Sequence, residues 1–310
     1  MINNVGLEKK SKITFEDISI EFMEDKKKKV KIQSLIKDIN LNKYILNYLG
    51  KIAINDLNVS TYKQFKNELD NKNLSTVYKN KIHNQVISLI KYANKIYGIN
   101  NQVPQICDKF YNPNEIKKEM KFFTLDEFKV FLSVIDDEKW KLFFEILFYC
   151  GLRQGELQAI TWNDINFKKS TISITKTLTT KIKGEKWTIS APKTKNSIRE
   201  LPINQNISNK LKALKEKQKM MVEFNDNWFA MGNFEPIKEN NIQNHKNKYC
   251  DLAGIKRIRI HDFRHSCASF LLNNRADIIT VSKYLGHASI SFTLDTYTHF
   301  IKINLTKFPI

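Results

Sequence analysis

Apolar residues recur along most of this chain at intervals of three and four, the spacing that lines up one face of an α-helix. Thr14-Phe15-Glu16-Asp17 has the form of a capping box and is followed by Ile18 and Phe22, so a helix is expected from Thr14. Leu35, Ile36, Ile39, Tyr44, Ile45, Tyr48 and Leu49 predict a second helix closing at Gly50, and Ser60 to Phe65 opens a third. The most regular stripe, Ile82, Val86, Leu89, Ile90, Ala93 and Ile96, follows a cap at Ser75. The expectation is an all-α bundle of four or five helices over residues 13–104, after a short polar tail, residues 1–12.

Residues 98–120 contain Pro104 and Pro113 and show no clear period, which predicts a linker, placed at 105–121, and a second domain at 122–310. A further capping box, Thr124 to Glu127, introduces Phe128, Phe131, Leu132 and Ile135. The apolar helix from Trp140 to Cys150 then ends at Gly151, and a new helix from Glu156 to Ile160 leaves Arg153 at a buried corner. Thr171 to Ile174 alternates like a strand, Lys183-Gly184 marks a turn, Trp187 to Ile189 returns, and Ile198 to Pro202 follows a loop at Pro192 to Asn196. This pattern predicts a small three-stranded antiparallel sheet with Lys193 near a hairpin tip, and helices dominate again from Ile207. The expected fold class is therefore mainly α with a small antiparallel β-sheet, an α+β domain preceded by the helical bundle.

Charge changes the picture most. The chain carries 51 Lys and Arg against 32 Asp and Glu, a formal net charge of +19, far beyond what solubility requires. A polyanion is the simplest partner, and nucleic acid is the first candidate. Part of the excess follows from a sequence rich in Lys, Asn and Ile together. Lysines 63, 66, 72, 79, 81, 91 and 95 fall between the apolar positions of the bundle, so its solvent face is expected to be basic and able to track phosphates. A membrane partner is not expected, because no apolar run approaches the roughly 18 to 20 residues of a spanning helix and the N-terminus lacks a signal-peptide core. Cys107, Cys150, Cys250 and Cys267 form no CxxC pair, so neither a disulfide framework nor a zinc ribbon is indicated, and a reducing cytoplasm fits.

The candidate chemistry lies near the C-terminus. His261 and Arg264 stand three residues apart, His287 follows twenty-three residues after Arg264, and Tyr297 ten residues beyond that. Attack on a phosphodiester needs bidentate donors for the nonbridging oxygens, a proton acceptor for the nucleophile and a proton donor for the leaving oxygen. Arg153, Arg264, His261, His287 and a hairpin lysine meet those needs without a metal ion. No carboxylate cluster of the kind that holds two magnesium ions is evident, and no cofactor is expected. Taken singly each piece is weak, since a lone His-x-x-Arg is more often a surface pair and a lone tyrosine more often a core residue. Their joint occurrence in order is specific.

Three boxes carry a resemblance: Gly151-Leu152-Arg153-x-Gly-Glu156, His261-x-x-Arg264-His265, and Leu285-Gly286-His287 with Thr296-Tyr297-x-His299. In them the chain resembles the tyrosine recombinases of the phage and mobile-element integrase family, over nearly its whole length. The resemblance implies that Tyr297 attacks the scissile phosphate to give a 3′-phosphotyrosine and a free 5′-hydroxyl, a linkage that lets religation proceed without ATP. It implies that Arg153 and Arg264 clamp the nonbridging oxygens and that His261 takes the tyrosine proton. His287 is expected to hydrogen-bond the phosphate, and Lys193 to protonate the leaving oxygen, with Lys195 on the same loop as the alternative. Glu156 is expected either to orient the arginine box or to be an ordinary helix-start carboxylate, and His265 and His299 are expected to be structural.

The expected partner is double-stranded DNA, bound by a homo-tetramer and served by an accessory DNA-bending or directionality factor, in the bacterial cytoplasm at the nucleoid. Only about a dozen residues precede Thr14, so the expectation is that arm-site binding is either not a property of this chain or was lost by truncation. Ile301, Ile303 and Leu305 alternate like a strand, which suggests a tail that adds to a neighbouring protomer's sheet. Three readings compete with an integrase that inserts or excises a mobile element. A chromosome-dimer or plasmid resolvase shares the chemistry, as does a topoisomerase-like relaxing enzyme, whereas a basic architectural DNA-binding protein would have no use for Tyr297.

Overall fold

The computed structural model describes residues 13–30, 32–115, 120–180, 185–192, 195–287, 289–291, 293–294 and 296–297. The chain divides into two compact units, residues 1–117 and 118–310.

The first unit is helical. Its helices are α1 (Phe15–Lys27), α2 (Ile32–Leu49), α3 (Val59–Asp70), α4 (Thr76–Tyr97) and the short α5 (Val103–Ile106). Local chemistry starts three of them at a polar side chain. Thr14 and Asp17 form a reciprocal capping box, Asn58 accepts from the amide of Thr61, and Ser75 accepts from that of Tyr78. The apolar stripes then close on one another, burying Phe15, Ile18, Ile45, Leu49, Tyr62, Phe65, Val86 and Leu89 in one cluster. Ile96, expected on the stripe, is 48% exposed at the helix end. Of the seven lysines noted above, 63, 72, 81, 91 and 95 are exposed, while Lys66 reaches the carbonyl of Asp108 and Lys79 pairs with Asp70. The segment expected as a linker from residue 105 stays on this unit as far as Phe110. Phe110 is buried, and the Asn80 amide clamps it by accepting from its N–H and donating to its carbonyl.

The second unit is a helical domain with two small antiparallel sheets. Its helices are α6 (Leu125–Ser133), α7 (Glu138–Cys150), α8 (Gln154–Ala159), α9 (Gln205–Lys219), α10 (Glu239–Leu252), α11 (Asp262–Asn273) and α12 (Ile278–Leu285). Strands β1 (Ile165–Asn166), β2 (Thr171–Ile174) and β5 (Arg199–Pro202) form one sheet in the order β1-β2-β5, with Ile174 opposite Arg199. The expected three-stranded sheet needs a correction. Trp187 to Ile189 does not join β2, because both edges of β2 are occupied by β1 and β5. Instead β4 (Thr188–Ser190) pairs with β3 (Thr177–Thr179) as a separate two-stranded ribbon, placing Leu178 opposite Ile189. Lys193 and the turn at 183–184 lie outside the described residues, as do His299 and the tail from 300 to 310.

An aromatic core fixes the helix that carries the second box. Phe128 of α6 stacks on Phe148 of α7 at 3.9 Å, and Phe263 of α11 packs against Phe123, Phe131 and Phe144 at 5.5 to 5.8 Å between ring centres. Each such ring contributes on the order of 1.5–3 kcal/mol of burial, enough to set the rotation of a twelve-residue helix. With Phe263 facing this core, the next residue, Arg264, points at the C-terminus of α7.

Candidate active site

Arg153 sits where α7 turns into α8. Gly151 ends α7 with φ of 60°, a left-handed conformation that favours glycine, and a Cβ there would stand 2.4 Å from Leu285 and 3.0 Å from the Cys267 sulfur. Arg153 is the N-cap of α8, and Glu156 accepts from its backbone N–H at 3.0 Å and from its Nη1 at 2.6 Å. The remaining terminal nitrogen, Nη2, donates to the Gly286 carbonyl at 3.2 Å. Glu156 is 3% exposed and also receives Arg199. Burial raises the cost of its charge, yet Arg199 and Arg153 outweigh that cost and hold its carboxyl below the ordinary range. Glu156 thus contacts both the backbone and the guanidinium of Arg153 and ties them to Arg199.

Arg264 is 2% exposed. Its Nη1 donates to the Gly151 carbonyl at 2.9 Å, and its Nη2 is buried without a hydrogen-bond partner. Burial and then the neighbouring charge of Arg153 push its pKa down, with Glu156 opposing. A buried guanidinium nitrogen left without an acceptor costs on the order of 1–3 kcal/mol, and an anionic oxygen would remove that cost.

Three imidazoles and the tyrosine complete the cluster. Tyr297 is in helical conformation and fully buried, its ring packed with Cys267, Ala268, Leu272, Val281 and Leu285 from α11 and α12. Its hydroxyl lies 2.7 Å from His265 Nδ1. Burial raises its pKa, with Arg264 opposing. The His265 ring meets the His261 ring edge-on at 5.2 Å between centres. Thus the imidazole against the tyrosine is His265, which had been expected to be structural, while His261 stands one ring farther away. The two are a helical turn apart at the start of α11, a spacing that puts both on one face and was readable in the sequence. His287, 6% exposed, bonds Thr293 Oγ1 through Nδ1 at 2.7 Å, and its ring lies parallel to that of Tyr297 at 6.5 Å.

The electrostatics share one cause. His265 is pushed down to about 4 and His287 to about 3, in both cases first by burial. For His287, the next causes are Arg264 and Arg153, and His261 is lowered by burial and the same two arginines. The imidazoles of His265 and His287 are therefore neutral at pH 7, and the concentrated positive charge would favour an anion. The structure gathers Arg153, Arg264, His261, His287 and Tyr297 into one region of the second unit. Arg199, an arginine outside the three boxes, joins them through Glu156.

Comparison with known proteins decides the family. The pattern of the phage integrase family matches residues 121–302, more than half the chain, and that of the phage integrase N-terminal SAM-like domain matches residues 14–69. The chain belongs to the phage integrase family. It is a tyrosine site-specific recombinase. Among its relatives is the ICEBs1 integrase of Bacillus subtilis, 30% identical over 267 residues, covering 84% of this chain and 71% of that protein. The integrase of Staphylococcus phage L54a is 25% identical over 80% of this chain and 77% of its own length. In fold, the recombinase resembles the Tn1549 transposon integrase solved with a circular intermediate DNA, at a TM-score of 0.78 and 19% identity over 95% of this chain and 99% of that one. The λ integrase dimer bound to a core site is similar at a TM-score of 0.67 and 13% identity, over 92% and 95% of the two chains.

Proposed function

We propose that this recombinase cuts and rejoins double-stranded DNA through a 3′-phosphotyrosine at Tyr297, to insert or excise a mobile element. The observation that carries the reading is the unpartnered Nη2 of buried Arg264 beside Arg153, in the same cluster as the Tyr297 hydroxyl. In the reaction, the Tyr297 oxygen attacks the scissile phosphorus and the bond from phosphorus to the 5′ oxygen breaks. The tyrosine proton passes to an imidazole, His261 or the His265 that already touches the hydroxyl. Lys193 or Lys195 protonates the leaving oxygen. Arg153, Arg264 and His287 hold the nonbridging oxygens as charge builds on them. A free 5′-hydroxyl from a partner strand then reverses the attack, and no bond energy is lost to water.

As Tyr297 is fully buried with its hydroxyl against His265, it must leave this contact to reach a phosphate, so DNA binding and tyrosine release are linked. Double-stranded DNA as the partner is supported by the net charge of +19 and by fold relatives solved as DNA complexes. Insertion or excision, ahead of chromosome-dimer or plasmid resolution, is favoured by relatives named as integrases of a phage and of the ICEBs1 element. A homo-tetramer on DNA, an accessory bending or directionality factor and a cytoplasmic, nucleoid setting complete the proposal. Among the described residues no helix is long and apolar enough to cross a membrane.

The test is incubation with supercoiled plasmids carrying the DNA that borders the encoding gene, followed by denaturation. Protein attached to a 3′ end, absent in Tyr297→Phe, is the expected result. No adduct from the unaltered chain, or one that survives Tyr297→Phe, overturns the mechanism.

A further inference from the structure

Arg199 is the first residue of β5, and its side chain is only 8% exposed. Its donors are nearly all committed to the protein. Nε donates to the Tyr284 carbonyl at 2.9 Å, Nη1 to the Ser197 carbonyl at 3.0 Å and to Glu156 Oε1 at 3.4 Å, and Nη2 to Glu156 Oε2 at 3.0 Å. It also lies directly against Gly286, where a Cβ would come within 3.1 Å of Nη1 and 3.2 Å of Cδ. One side chain thus joins three segments: β5, which follows the lysine loop; the corner of α8, through Glu156; and the end of α12, which leads into His287.

The contrast with Arg264 separates two jobs. Arg264 keeps an unused nitrogen, as a group that meets an anion should. Arg199 spends its nitrogens on carbonyls and a carboxylate, as a brace should. The carboxylate it grips is the one that fixes Arg153 at both its backbone N–H and its Nη1. Without Arg199, buried Glu156 would keep Arg153 as its one guanidinium partner and could draw it inward, away from a substrate oxygen. A displacement of about 1 Å in such a clamp is enough to cost on the order of a hundredfold in rate.

We propose that Arg199 is a positioning residue for strand cleavage, holding Glu156 so that Arg153 presents its guanidinium to the scissile phosphate. The proposal rests on the Tyr297 chemistry above. It is tested on a duplex recovered from a random-sequence pool as one to which the unaltered chain becomes covalently attached. Arg199→Met is expected to bind this duplex with unchanged affinity and to form the adduct roughly 10- to 100-fold more slowly, the usual loss when a group supporting a primary ligand is removed. Arg199→Lys, which keeps the charge but not the planar fork, is expected to fall between the two.

A second substrate, with a methyl group replacing one nonbridging oxygen at the scissile phosphate, carries no charge there for Arg153 to meet. On it the Arg199→Met and Arg153→Ala defects are both expected to shrink to within about threefold of the unaltered chain, because the interaction they impair is no longer needed. An equal defect on both substrates, a normal rate with Arg199→Met, or an Arg199→Lys chain that does not fold overturns the positioning role. Absence of an adduct from the unaltered chain overturns the Tyr297 chemistry and this proposal with it, a different result from a normal rate in the variant.

Discussion

The two units of this recombinase bury their polar groups in different ways. In the first, the buried polar side chains are mostly neutral and satisfy one another: Asn42 donates to Ser19 and accepts from Gln85, Tyr62 meets His83 at 2.7 Å, and Asn101 donates to the carbonyls of Ile54 and Leu57. In the second, charge itself is buried, with Glu156, Arg199, Arg264 and Asp262 all largely removed from solvent. Taking a charge out of water costs several kcal/mol even after relaxation, so a fold keeps it only where partners or chemistry recover the cost. The first unit uses polarity to fix how its helices pack and leaves lysines on its surface. The second concentrates guanidinium and imidazole groups around a tyrosine, at the expense of a buried nitrogen with no acceptor.

The largest effect belongs to the proposed nucleophile. Tyr297→Phe should remove all detectable covalent adduct while leaving the melting temperature nearly unchanged, as read by denaturing gel and calorimetry. Glu156→Ala comes next. It strands Arg199 beside Arg153 without a carboxylate, and a loss of about 3–5 kcal/mol in chemical denaturation is expected, as for one partner removed from a buried pair.

Acidification should act mainly on the second unit. His265 and His287 titrate near 4 and 3 in the fold against about 6.5 in an unfolded chain, so between those values the unfolded state binds more protons. Stability should therefore fall as pH drops from about 6.5 towards 4, and His287→Gln should flatten that slope in thermal melts. Arg264, Arg153 and Arg199 face His287 and disfavour its charged form, as does His261 for His265, while Asp262 opposes the shift of His265.

The smallest effects belong to the first unit. Asn42→Ala, which breaks a neutral network, should cost about 1–3 kcal/mol with no change in cleavage beyond that due to unfolding. Replacing exposed Lys81 or Lys91 by Gln should leave stability alone and reduce the salt dependence of DNA binding by about one counterion each, if that face meets phosphates. A lysine change that alters cleavage without altering binding would break the division between the units.

Much of the fold could be read from local patterns. The caps at Thr14, Ser75 and Thr124 and the glycine at 151 act within a few residues of themselves, so helix starts and stops were visible in order. The pairing of β4 was not, because which strand fills an edge depends on what already occupies it. The first two boxes were also legible because each keeps its residues within one turn or one corner, and the third as two short runs whose key residues, His287 and Tyr297, stand ten positions apart. Arg199 gave no such signal: an arginine opening a strand looks like any half-exposed charge until Glu156 and Tyr284, forty-three and eighty-five positions away, are brought against it. His265 was visible as a neighbour of His261 on one helix face, but not as the group touching Tyr297, a contact across thirty-two positions.

The sequence by itself determined the helical character, the strong positive charge and the set of side chains proposed to attack and hold a phosphodiester, because these follow from composition and short-range spacing. Only the tertiary structure decided which imidazole meets the tyrosine, which arginine keeps a free donor and which one braces the other. Those choices depend on long-range packing of α11 and α12 against the end of α7, and on the cost of burying each charge where that packing puts it.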